Sequence, residues 1–335
     1  MMGLVAGWAN FAAAEAEFKL RMHQFLPLQA NVPKNILQLW ADRVEADSDG
    51  RIEIVHFPSM QLGGRAPELY DQAVDGIADI IWTVAGYTAG RFPRTEVFEL
   101  PFMMRDAGAT SRAFWQLSQK YMQDDDFKDT HMLAVWVHGP GIIHSRRPIN
   151  AIDDLRGVKL RAPTRVTTML FESLGAEPIA MPVPAVTESL SRGVIDAAVI
   201  PWEVTVALKV PELVKNHTEF SNASLYTNSF LFAMNKESYA SLPPELQQVI
   251  DQNSGEEFSA FAGAQMQRDD VLSRKIAAEA GNNIITLTPD QVSVWRAAAQ
   301  PTIDRWLKEM DDAGMDGTGL YDEARALIDS NQTGY

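Results

Sequence analysis

The chain is predicted to be an α/β protein of two domains, each a mostly parallel sheet flanked by helices. A β-α-β-α-β order occurs over residues 18–83 and again over 158–200. The last junction of the two units matches, Gly76-Ile77-Ala78-Asp79 against Gly193-Val194-Ile195-Asp196. The 335 residues, 46% of them hydrophobic, suffice for two cores at the usual ~100–200 residues per domain. One large doubly wound sheet is the alternative, and it strains the size at which single cores stop growing.

Residues 18–22 read as the first strand. Asn31 is placed to cap a helix with Pro33 in its first turn and Ile36, Leu37, Trp40 and Val44 on its apolar face. Residues 51–57 alternate as a strand that Pro58 ends, 68–74 form a helix closed at Gly76, and 77–83 make the third strand. Runs 96–104 and 132–138 are apolar and strand-like, on either side of a helix with Phe114, Trp115 and Leu117. In the second unit, strand 158–161 leads to a helix over 166–174, with Thr164 as N-cap and Gly175 as the left-handed exit. Strand 178–181, helix 185–192 and strand 194–200 complete it. After Pro201-Trp202-Glu203 and a helix, 225–235 reads as a strand returning to the first domain. Residues 243–280 carry one long helical pattern, which at ~1.5 Å per residue spans both domains, and 289–310 form a last helix. Domain one is then 17–137 plus 225–265, and domain two 138–224 plus 266–335. Two or three crossings make a hinge.

A net charge of −15 without a Lys/Arg cluster opposes nucleic acid and anionic lipid as partners. The absence of cysteine excludes disulfides, Cys-ligated zinc, iron–sulfur clusters and a thiol nucleophile. No G-x-G-x-x-G follows a strand, and neither a P-loop nor a G-x-S-x-G elbow occurs, so a two-domain α/β enzyme acting on a small carboxylate is the less favoured alternative. Pro140 spoils His138-Gly139-Pro140-Gly141 as a phosphate loop, and that stretch reads as the domain crossing. Asp312, Asp316, Gly317 and Glu323 fit four positions of a calcium loop, but Gly314 removes a ligand. No metal and no cofactor are expected. The apolar start and small residues of 1–16 read as a residual signal peptide, although no Lys or Arg precedes Lys19.

Arg161 is the strongest candidate for function. It ends a strand immediately before a helix start, where open α/β sheets bind ligands and where free N–H groups join a guanidinium in holding an anion. On position alone a structural Arg is the alternative, and Arg91 and Arg165 are the fallback cations.

Four stretches, Phe57-Pro58-Ser59-Met60-Gln61-Leu62-Gly63-Gly64, Glu99-Leu100-Pro101-Phe102-Met103-Met104-Arg105-Asp106, Leu155-Arg156-Gly157-Val158-Lys159-Leu160-Arg161-Ala162-Pro163 and Leu190-Ser191-Arg192-Gly193-Val194-Ile195-Asp196, resemble the extracytoplasmic solute-binding proteins of TRAP transporters. The resemblance implies a periplasmic binding protein fold that closes on a small organic acid. It also implies delivery to integral membrane TRAP transporter subunits, and it places the family's carboxylate-binding arginine on Arg161. Where many members carry Gln, Glu and Asn, this chain has Ala198, Val199 and Ile200, and Ala185 stands where a Glu often starts the preceding helix. A sugar acid's hydroxyls would then go unpaired at ~1–3 kcal/mol each. The cleft-edge candidates are Phe25, Trp82, Val183, Ile200 and Trp202, with His138 able to bond a ligand substituent. For the aromatics a place in the core, and for His138 a structural role, are the alternatives. The expected ligand is a benzoate-like aromatic acid; an aliphatic keto or hydroxy acid, or a sugar acid, is the alternative.

Overall fold

The computed structural model describes residues 15–332, so the leader expected over 1–16 lies, but for its last two residues, outside the described residues. The first unit comprises β1 (Phe18–His23), α1 (Gln38–Asp47), β2 (Ile52–Phe57), α2 (Leu69–Val74), β3 (Ile80–Val84), α3 (Ala107–Tyr121) and β4 (Thr130–Val137). The second follows with β5 (Ile142–Ser145), β6 (Lys159–Ala162), α4 (Arg165–Ser173), β7 (Glu177–Ala180), α5 (Val186–Ser191), β8 (Ala197–Ile200), α6 (Val210–Leu213) and β9 (Asn216–Phe220). The chain returns as β10 (Ser229–Asn235), α7 (Lys236–Ser241), α8 (Pro244–Gln252) and α9 (Gly255–Glu279). It then adds β11 (Asn283–Leu287), α10 (Pro289–Asp312) and α11 (Gly317–Asn331).

The sheets run β2-β1-β3-β10-β4 and β11-β9-β5-β8-β6-β7. Each is parallel except for one reversed strand, β10 in the first and β5 in the second, and both follow a crossing between the units. The orders β2-β1-β3 and β7-β6-β8 coincide, so the repeat is two copies of one plan. The matching junctions have one physical cause. Gly76 and Gly193 leave their helices at φ +70°, where a side chain would be strained. Asp79 Oδ2 then accepts from Arg21 N at 2.8 Å and Asp196 Oδ2 from Lys159 N at 3.2 Å, each clipping its strand to the parallel neighbour.

Several elements differ from expectation. Residues 96–104 are not a strand: Pro93–Glu99 is a 3-10 turn, bounded by Pro93 and Pro101, neither of which can donate to a ladder. Asn31 does not cap its helix, which begins with a π turn over Pro33–Leu37; its Nδ2 instead donates to Glu203 O at 2.7 Å in the second unit. The long helix is broken after α8, because Gly255 turns at φ +82°. The 25-residue α9 still packs on α3 and β4 at one end and on the turn Trp202–Val204 at the other. Short β5, β9 and β11 carry too few residues for a periodic signal. α11, left with the second unit by the sequence, packs on α3. Asp316 Oδ1 caps α11, while Asp312 pairs with Lys308 and Glu323 with Lys120, so these acids do not converge as a calcium loop.

Two of the crossings, 138–141 and 221–228, hold each other. Gly141 N donates to Tyr226 O at 3.1 Å, and Thr227 Oγ1 to His138 O at 2.9 Å.

Candidate ligand-binding site

Between the sheets lies a tight cavity of about 30 Å³, well below the ~300–1,000 Å³ usual for small-molecule sites. The carboxyl ends of parallel strands from both units open onto it: Phe25 and Leu26 beyond β1, Val84 and Tyr87 at the end of β3, Arg161 on β6, and Ile200 and Glu203 at the end of β8.

Arg161 is 1% exposed. Its Nε donates to Met181 O and its Nη1 to Val199 O, both at 2.9 Å, and Nη2 lies 3.5 Å from the Tyr87 hydroxyl. These contacts fix the plane of the guanidinium and leave two of its five N–H groups unclaimed. No carboxylate of the described residues pairs with it, so a buried positive charge faces the cavity without a counter-ion. The fallback cations are already used. Arg91 pairs with Asp71 and Asp129 and lies over the Tyr70 ring, and Arg165 pairs with Glu96 and Glu309.

The opposite wall is aromatic. Trp82 stacks on Phe25 at 4.6 Å and 21°, and on Phe230 at 5.3 Å and 20°. Val183 and Ile200 supply aliphatic surface. The structure thus brings Arg161, His138, Trp82, Phe25, Val183 and Ile200 around one space. Trp202 is not among the lining residues: its ring packs on His144 and His217 and its Nε1 donates to Glu219 at 2.8 Å. The tight turn Trp202–Val204 offers Glu203 and Val204 to the cavity instead. Of the four residues read as replacing polar groups, Ala185, Ala198, Val199 and Ile200, only Ile200 lines the space; Val199 contributes a carbonyl to Arg161. Both ring nitrogens of His138 have main-chain partners. Its Nε2 accepts from Asn228 N at 3.1 Å and its Nδ1 donates to Gly139 O at 2.5 Å, and burial drives its pKa down to about 3.

Tyr87, Asn228, Phe230 and Glu203 were not found from the sequence. Phe230 sits on the reversed β10, two residues from Asn228, in a run too uniformly apolar for its faces to be told apart. Tyr87 lies in the turn just past β3, at the carboxyl edge of the sheet, which is the one signal that could have marked it. It also crosses the cleft, since its hydroxyl accepts from Val183 N at 2.9 Å.

Glu99 lies in the same junction between the units, its Oε1 accepting from Ser229 N at 3.0 Å. Burial raises its pKa from 4.5 to about 8. Between those values the folded chain holds a proton that the unfolded chain has lost. The associated stability is therefore intact below about 4.5 and disappears as pH rises through about 8, by up to ~1.4 kcal/mol per pH unit. The melting temperature of the ligand-free protein should fall more steeply across that window than that of Glu99→Gln. Parallel curves would exclude Glu99 as the source.

A family model described as "Bacterial extracellular solute-binding protein, family 7" matches residues 26–309. Among solved structures, a TRAP solute-binding protein from Rhodoferax ferrireducens, in complex with copurified benzoate, is 46% identical with a TM-score of 0.92, over 93% of this chain and 98% of that one. A marine metagenome TRAP solute-binding protein with 3-hydroxybenzoate is 44% identical with a TM-score of 0.93, over 95% and 100%. The outer membrane transporter protein TsaT of Comamonas testosteroni is 28% identical over 93% of this chain and 92% of its own length. Fold and cleft define a two-domain binding protein that holds a solute rather than transforming it. The chain belongs to the bacterial extracellular solute-binding protein family 7, as an extracytoplasmic receptor of a TRAP transporter.

Proposed function

We propose that the protein is a periplasmic receptor that captures a small aromatic carboxylate, benzoate or a close derivative, and hands it to the integral membrane subunits of its transporter. One observation carries the reading: Arg161, buried and without a counter-ion, holds two free N–H groups in a cavity whose far wall is a ring stack. A carboxylate supplies the missing charge by a two-point bond, and a flat ring fits beside stacked aromatics. The ligands of the two similar receptors support the same class. Export is supported by the family and by the leader-like residues 1–16; no helix of the described residues is long and apolar enough to cross a membrane. The moving bodies follow the sheets, 17–137 and 225–265 in one and 138–224 and 266–312 in the other, with α11 on the first. Closure is driven by the ligand's differential affinity for the closed state.

A thermal-shift panel of small carboxylates tests the ligand class. At about 100 times its Kd a ligand stabilises the native state by ~2.7 kcal/mol, so benzoates should raise the melting temperature by several degrees and outrank sialic, uronic and C4-dicarboxylic acids. A sugar acid or an aliphatic acid at the top of the panel would overturn the reading.

A further inference from the structure

Glu203 sits 3% exposed on the cavity wall, and its Oε2 has no hydrogen-bond partner among the described residues. Its main chain, by contrast, is pinned on both sides. Glu203 N donates to Asp270 Oδ1 at 2.8 Å, and Glu203 O accepts from Asn31 Nδ2 at 2.7 Å and Ser273 Oγ at 3.3 Å. A side chain on so rigid a base, buried and unsatisfied, costs free energy that packing alone does not repay. Two further orphans line the same space, Trp82 Nε1 and Asn228 Oδ1. The benzoate-like reading accounts for Arg161 and for the ring stack but leaves these three polar atoms unused.

Their placement separates two ends of the cavity. Arg161 pairs in register with Ala198 of β8, whereas Glu203 lies in the turn Trp202–Val204 beyond the end of that strand, where its carbonyl accepts from Asn31 of the first unit. Glu203 therefore stands apart from the carboxylate anchor, where the far edge of a ring held by Arg161 would come to rest. Burial, reinforced by Asp270, raises the Glu203 carboxyl well above its ordinary range and so favours its protonated form, which can both donate and accept. A ring hydroxyl has the same double capacity.

We infer that Glu203 is a specificity-determining residue that hydrogen-bonds a hydroxyl on the ligand ring, so that the preferred ligands are hydroxylated aromatic acids. The inference rests on the aromatic-acid reading above and deepens it. A site built to bond a hydroxyl discriminates against an analogue lacking it, because its own buried group is then left unpaired.

The test is isothermal titration of the wild type, Glu203→Gln and Glu203→Leu with benzoate, 3-hydroxybenzoate, 4-hydroxybenzoate and 3-methoxybenzoate. In the wild type one hydroxybenzoate should bind roughly 10- to 100-fold more tightly than benzoate, and the methoxy compound should not share the gain. Glu203→Leu should abolish or invert that preference while keeping affinity for benzoate. Glu203→Gln, which preserves size and hydrogen bonding, should keep part of it and guards against a folding defect in the Leu variant. Equal affinities for benzoate and both hydroxybenzoates in the wild type, or a preference that survives Glu203→Leu, would overturn the role of Glu203. Failure of every aromatic acid to bind the wild type would instead overturn the underlying reading.

Discussion

Arg161→Gln should weaken binding of a benzoate-like acid by ~2–5 kcal/mol, about 30- to several thousand-fold in Kd, because it removes the only cation on the cavity wall among the described residues. Arg161→Lys should fall between the two, since an ammonium keeps the charge but not the planar fork that Nε, Nη1 and their carbonyl partners hold in place. The fold should survive. Gln leaves the carbonyls of Met181 and Val199 short of a donor, but it also removes a buried charge that lacks a counter-ion, and these effects oppose each other. Titration calorimetry beside thermal unfolding separates the readouts: affinity should collapse while the ligand-free melting temperature moves little. Near-wild-type affinity in Arg161→Gln would remove Arg161 from the site.

Gly86→Ala should impair closure without touching the ligand. Gly86 follows β3 in the first unit, and a Cβ there would lie 2.4 Å from Thr164 Cγ2 and 2.7 Å from Thr164 Cβ, in the loop after β6 of the second. Its φ is compatible with alanine, so the strain arises only where the two units meet. Thr164 has little room to yield, being 3% exposed and bonded through its N and hydroxyl to Thr167. Overpacking of this kind costs ~1–3 kcal/mol, which the closed state alone would bear, so affinity should drop about 5- to 150-fold. X-ray scattering with saturating ligand should report a less compact particle than the wild type. An unchanged Kd would mean that the two units do not approach as closely in solution.

What the sequence could reveal followed from how local each cause is. The twin β-α-β-α-β units were legible because parallel strands buried on both faces are written as short apolar runs, and because Gly76 with Asp79 and Gly193 with Asp196 each solve the same problem within four residues. Arg161 was legible for the same reason: strand end, helix start and guanidinium are contiguous. The aromatic wall was half legible. Phe25 lies just beyond the end of β1 and Trp82 in the middle of β3, but Phe230 arrives from a strand inserted between β3 and β4 across some 90 intervening residues of the second unit. The exchange of Trp202 for Glu203 turns on one residue of register in a 3-10 turn, where the larger apolar side chain went to a small cluster with Ile142 and Ala277 and the acid to the cavity. Nothing in the pattern Pro201-Trp202-Glu203 decides that choice; the contacts of His144, His217 and Asp270, all distant in sequence, do.

The account stands most directly on a crystal structure of the protein grown with benzoate. It predicts the carboxylate in a planar, two-point bond with the two free N–H groups of Arg161, with the ring lying against the stack of Phe25, Trp82 and Phe230 and enclosed by both units. A carboxylate bound elsewhere, or an Arg161 still facing an empty cavity at saturating benzoate, would contradict it.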